Sequence, residues 1–201
     1  MKKEKIGIDL DNTIINYDKT FFKIALKEKL ITKNLYQDKE KIRNYVLSKK
    51  GLDKWRKLQS IVYSNYLHDA KIQNGFIKFL KLIQKKNYDY CIISHKTKYP
   101  YFGKKIDLQK LSKEWINKNI CNQANIKRLK KNQIFFENTK EKKIKRILKE
   151  KCNYFIDDLP SILEKLPLNV KKILIDPKSI NKKSVQYLKL EKWIEISKIF
   201  F

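Results

Sequence analysis

The chain has 201 residues, of which 42% are hydrophobic, 12% aromatic and 34% charged, with a formal net charge of +27. The apolar share excludes a disordered chain, and the length suits one sizeable core with a smaller appendage. No run of about 18 apolar residues exists, so no membrane-spanning helix is expected.

The start of the chain, MKKEKIGIDLDN, has neither the apolar core nor the cleavage site of a secretory signal, and a cytoplasmic protein is the expectation. Cys91, Cys121 and Cys152 are odd in number and widely spaced, which fits neither a disulfide framework nor a zinc knuckle. The positive charge admits a nucleic-acid partner. Only Arg43, Arg56, Arg128 and Arg146 among the basic residues are arginines, however, the lysines are spread along the chain, and Ile and Asn are also abundant. Those features favour a compositional origin, because Arg is the better fork for phosphate. Attraction to phosphorylated substrates holds on either view.

In chain order, Lys5 to Asp9 reads as a buried strand opening into an acidic loop. From Tyr17 to about Leu82 there is almost no Pro or Gly. Phe21, Phe22, Ala25 and Leu26, then Leu58, Ile61, Val62 and Leu67, recur at helical spacing. Asp53 is the expected cap of a helix starting at Lys54. After Asn74-Gly75 a helix carries Phe76, Ile77, Leu80 and Ile83. A strand over Tyr88–Ser94, a loop with Pro100 and Gly103, and a helix from Leu108 follow. Next come a strand over Gln133–Phe136, a helix capped by Thr139, and strands over Asn153–Ile156 and Lys172–Ile175. The C-terminal segment, with Val185, Leu188, Trp193 and Ile196, is expected to pack back on the core. Strands alternating with helices imply a mostly parallel α/β sheet, whose ligands sit beyond the carboxyl ends of the strands. Those ends carry Asp9, Asp11, Ser94, Asp157 and Asp158.

Two carboxylates two positions apart at a strand end, Asp9 and Asp11, can be directed toward one cavity. One can attack an electrophile while the other manages a proton. Their mutual repulsion calls for a hard, oxygen-ligated cation such as Mg²⁺, for which Asp157 and Asp158 supply further ligands. With only two histidines, a His-based metal site is not expected.

Ile6-Gly7-Ile8-Asp9-Leu10-Asp11-Asn12-Thr13 resembles the first motif, D-x-D-x-T, of the haloacid dehalogenase-like (HAD) hydrolases. Ile92-Ile93-Ser94-His95 resembles the second, a lysine within Thr139–Ile144 the third, and Tyr154-Phe155-Ile156-Asp157-Asp158 the fourth, in the family's order. The resemblance implies a Rossmann-like three-layer core over residues 1–15 and 76–201, with a small helical cap inserted over 16–75. It also implies an Mg²⁺-dependent phosphomonoester hydrolase. Asp9 would be the nucleophile that forms an aspartyl-phosphate, and Asp11 the acid and base. Ser94 and the backbone N–H of His95 would hold phosphoryl oxygens, and Lys143, or else Lys140, would neutralise charge. Mg²⁺ would be held by Asp9, Asp158 and the backbone carbonyl of Asp11, with Asp157 further out. The expected substrate is a small phosphorylated metabolite such as a sugar phosphate or nucleoside monophosphate. The alternative is a nucleic-acid-end phosphatase, or a basic nucleic-acid-binding protein that retains the fold. The basic, aromatic loop from Lys96 to Lys104 would either bind the leaving group by stacking and charge or pack on the cap.

Overall fold

The computed structural model describes residues 3–35 and 37–201. Its elements in chain order are β1 (Lys5–Ile8), β2 (Ile15–Asn16), α1 (Asp18–Lys27), α2 (Lys39–Lys50), α3 (Leu52–Asn65), β3 (Lys71–Ile72), α4 (Phe76–Lys85), β4 (Asp89–His95), α5 (Leu108–Ile116), β5 (Ile134–Glu137), α6 (Lys140–Lys149), β6 (Tyr154–Asp157), α7 (Pro160–Leu163), β7 (Lys171–Ile175), β8 (Leu188–Leu190) and α8 (Trp193–Ser197). Two compact units result: Met1–Ile15 with Ile72–Lys96 and Ile116–Phe201, and Asn16–Lys71 with Thr97–Trp115.

The first unit is built on a six-stranded sheet in the order β5-β4-β1-β6-β7-β8, every neighbouring pair parallel. Parallel strands covered on both faces need apolar side chains in both directions. The short runs Ile6-Gly7-Ile8 and Tyr154-Phe155-Ile156 meet that demand, and all six residues are buried. On one face Cys91, Ile93, Phe155 and Leu174 pack with Ile147 of α6 and with Ile162 and Leu163 of α7. On the other, α4 and the C-terminal segment form an aromatic stack. Phe79 lies 4.8 Å from Trp193, and Phe200 lies 5.6 Å from Phe79 and 4.8 Å from Tyr154. The C-terminal segment thus packs on the core as expected, and it also adds an edge strand, β8, which three residues flanked by polar ones do not announce.

Local signals set the helix starts. Thr139 Oγ1 accepts from the Lys142 N–H at 3.2 Å and caps α6. Asp53 is not a cap: α3 begins at Leu52, directly after Gly51 at φ 88°, so Asp53 lies in the first turn and meets the helix dipole there. Asp38 does cap, accepting from the Lys41 N–H at 2.8 Å at the head of α2.

The second unit is helical. Phe21 stacks on Trp55 with ring centroids 5.2 Å apart, and Tyr63 meets Tyr17 edge-on at 5.1 Å. Residues 97–115 belong here and not with the sheet, a difference from the division at residues 16 and 75. The Arg56 guanidinium lies 4.6 Å from the Tyr101 ring centroid, Phe102 N–H donates to Ser60 Oγ at 3.0 Å, and Trp115 Nε1–H donates to the Ala70 carbonyl at 3.1 Å. Of the aromatics of the basic loop, Tyr101 thus lies under Arg56 of this helical unit and meets Phe102 edge-on. Among the described residues no helix is long and apolar enough to cross a membrane.

β1 lies this close to Phe155 and Cys152 only because position 7 has no side chain. A Cβ there would lie 2.6 Å from Phe155 Cδ2 and 2.9 Å from Cys152 Sγ. Gly7→Ala is therefore expected to cost about 1–3 kcal/mol through overpacking, read as a lower urea midpoint with an unchanged slope.

Candidate active site

The strand order places β1 at the centre, with the next strands laid first to one side (β4, β5) and then to the other (β6, β7, β8). The β1/β6 boundary is thus a topological switch point, where the loops leaving adjacent strands diverge and open a crevice. Asp9 directly follows β1 and Asp157 ends β6, and Asp9 N–H is still tied to the Ile156 carbonyl at 2.9 Å. One carboxylate oxygen from each of Asp9, Asp157 and Asp158 lies within 4.8 Å of the others.

Lys143 bridges two members of this group. Its Nζ donates to Asp9 Oδ1 at 2.7 Å and to Asp157 Oδ2 at 2.6 Å, and the residue is 1% exposed. Burial works against the ammonium, but the two carboxylates outweigh it and raise the Lys143 pKa above its ordinary value. Asp9 responds differently. Burial is the largest influence and Asp157 and Asp11 add like-charge repulsion, so despite Lys143 its pKa is pushed up to about 6. One ammonium shared between two carboxylates cannot fully compensate either. Lys140, one turn earlier, points elsewhere: its Nζ donates to Ser161 Oγ at 3.1 Å on the surface.

The remaining carboxylates have their own partners. Asp157 Oδ1 accepts from the Leu159 N–H at 3.0 Å, so both of its oxygens are engaged. Asp158 accepts from Asn12 Nδ2 at 3.1 Å and from Thr13 Oγ1 at 3.5 Å. Asp11 pairs with Lys96, whose Nζ lies 3.0 Å from Oδ1 and 2.9 Å from Oδ2. Ser94 is buried near the end of β4, and His95 ends that strand with Nε2 3.1 Å from the Asn138 carbonyl oxygen.

The loop that carries Asp11 is fixed through its backbone. Asn12 adopts φ 62°, a left-handed conformation that Asn tolerates better than most residues. The carbonyls of Asn12, Thr13 and Ile14 accept from Gln73 Nε2 (3.0 Å), Trp193 Nε1 (3.2 Å) and Gln73 N–H (2.7 Å). Sequence reasoning places Lys96 only as part of the basic loop beside the site, without its pairing to Asp11, and misses Gln73 and Trp193 as site residues. Lys96 is one lysine among dozens, and its only signal is its place directly after Ser94-His95. Gln73 and Trp193 act from afar and carry none.

Asp9, Asp157 and Asp158 thus gather hard oxygen donors at one place, with Asp11 beside them and the ammoniums of Lys143 and Lys96 among their partners. That donor set fits a divalent, oxygen-seeking cation such as Mg²⁺.

A parallel α/β core with acidic strand ends at its switch point is the fold of the HAD-superfamily hydrolases, and this chain has it. No protein-family model matches the sequence, and no curated protein matches it. Among solved structures, the chain is similar to a HAD-superfamily hydrolase of Ehrlichia chaffeensis (TM-score 0.54, 16% identity, 100% of this chain and 97% of that one). It is also similar to a family IA, variant 3 HAD hydrolase of Entamoeba histolytica (0.54, 15%, 96% and 94%). A third is a HAD family hydrolase of Deinococcus radiodurans, crystallised with bound phosphate and sodium (0.54, 10%, 96% and 93%). At these identities the likeness is one of fold.

Removing Lys143 leaves two buried carboxylates facing each other. Lys143→Met is expected to destabilise the protein by about 3–5 kcal/mol in chemical denaturation. Lys140→Met, at an exposed contact, should stay within about 0.5 kcal/mol of wild type.

Proposed function

We propose that this chain is an Mg²⁺-dependent phosphomonoester hydrolase that works through an aspartyl-phosphate on Asp9. The observation that carries the reading is the convergence of Asp9, Asp157 and Asp158 on one point, with Lys143 between two of them and Asp11 two residues away. Asp9 and Asp158 would hold the metal, together with the Asp11 backbone carbonyl. Asp157, with both oxygens engaged, serves chiefly to orient Lys143. When bound, Mg²⁺ supplies positive charge that lets a phosphate dianion approach a carboxylate.

The chain's own residues divide the remaining work. Asp9 attacks phosphorus while the bond to the leaving oxygen breaks, and that oxygen takes a proton from Asp11. Water then attacks the phosphoryl group, gives its proton back to Asp11, and frees Asp9. The Lys143 ammonium, the Ser94 hydroxyl and the His95 backbone N–H hold charge on the phosphoryl oxygens, where electrostatic positioning matters most. Asp11 favours ester hydrolysis over dehalogenation, the activity named for another structure of this fold. A halide departs without a proton, whereas an alkoxide needs one.

With p-nitrophenyl phosphate and Mg²⁺, Asp9→Asn is expected to lower kcat by at least about 10³-fold, in line with the loss of a catalytic nucleophile. Full activity in that variant overturns the proposal. The substrate class we favour is a small phosphorylated metabolite. Its kcat/KM should change by less than about threefold between 50 and 200 mM salt, whereas a nucleic-acid end held through many phosphate contacts would lose about 10³-fold or more.

A further inference from the structure

Lys96 is 5% exposed, and a buried ammonium is tolerated only where a partner compensates its lost hydration. Asp11 is such a partner, with its two oxygens 3.0 and 2.9 Å from the ammonium. Lys96 reaches it from the residue directly after β4, where its backbone N–H still continues the sheet ladder to the Glu137 carbonyl at 2.9 Å. The ammonium is therefore carried by the rigid sheet, while Asp11 sits in a turn beyond β1. The turn's backbone is pinned by Gln73 and Trp193. The Asp11 side chain extends beyond those pins, and a contact to both oxygens limits rotation of its carboxyl group.

We infer that Lys96 is a positioning residue for Asp11: it holds the carboxylate at the place where it takes up a proton and from which that proton then passes to the leaving oxygen. The inference rests on the reading of Asp11 as the proton donor. Proton transfer in a transition state demands donor and acceptor at hydrogen-bond distance, so a carboxyl group that has lost this contact loses much of its effect while substrate binding is spared. Lys143 has a different place, with its ammonium against Asp9 and Asp157.

The test compares Lys96→Met with wild type on two esters of similar shape, phenyl phosphate and p-nitrophenyl phosphate. The first has the poorer leaving group and depends more on the proton. The variant should lose on the order of 30–100-fold in kcat/KM on phenyl phosphate and less than about fivefold on p-nitrophenyl phosphate. In an Asp11→Asn background, Lys96→Met should add less than about threefold on phenyl phosphate, since it acts through a group already removed. Equal losses on both esters, or a full additional loss in the Asp11→Asn background, overturn the inference, because a general loosening of the fold does not distinguish leaving groups. Lys96→Gln, which retains a hydrogen-bond donor, gives a second variant on which the same leaving-group contrast must appear. A wild-type chain that hydrolyses neither ester overturns the phosphomonoesterase reading, and this inference with it. An active wild type without the contrast overturns this inference alone.

Discussion

One buried ammonium organises the sheet unit's acidic edge. Without Lys143, Asp9 and Asp157 would bring two negative charges together in a place without water to screen them. With it, the two strand ends can sit side by side at the switch point. Burial, with like-charge repulsion from Asp157 and Asp11 added to it, still pushes the Asp9 pKa up to about 6. That crowding has a use. Carboxylate oxygens gathered in this way have affinity for a hard divalent cation.

The same economy runs through the neighbouring residues. Asp158 is held by the side chains of Asn12 and Thr13, so the first acidic motif also orients the last. Trp193, far along the chain, donates to the Thr13 carbonyl while its ring packs on Phe76 and Phe79. The hydrophobic packing on that face of the sheet and the geometry of the catalytic-type loop are therefore one structure. A change in the aromatic stack would be felt at Asp11, although no aromatic ring contributes chemistry there.

Much of this was legible in the sequence because the signals were local. Apolar runs of three or four residues ending in Asp or Ser marked the strands and their carboxyl ends together, and Thr139 marked the start of the helix that carries Lys143. What stayed hidden depended on tertiary contact. Lys143 and Lys140 are chemically identical, and only the packing of α6 on the sheet turns one inward and the other to Ser161. Lys96 could not be singled out in so lysine-rich a chain, since burial and not residue type distinguishes it. Asp53 looked like a cap, but Gly51 at positive φ starts the helix earlier. The placement of residues 97–115 with the helical unit rests on Arg56, Ser60 and Ala70, none of which forms a pattern with Tyr101, Phe102 or Trp115 along the chain.

The most direct test of the central claim is the covalent intermediate itself. Asp11→Asn, incubated with Mg²⁺ and a reactive aryl phosphate, should form phospho-enzyme faster than water removes it. Borohydride reduction followed by peptide mass spectrometry should then find the aspartate at position 9 converted to homoserine. Homoserine at position 157 or 158, or no acyl-phosphate during turnover of the ester, would contradict the account.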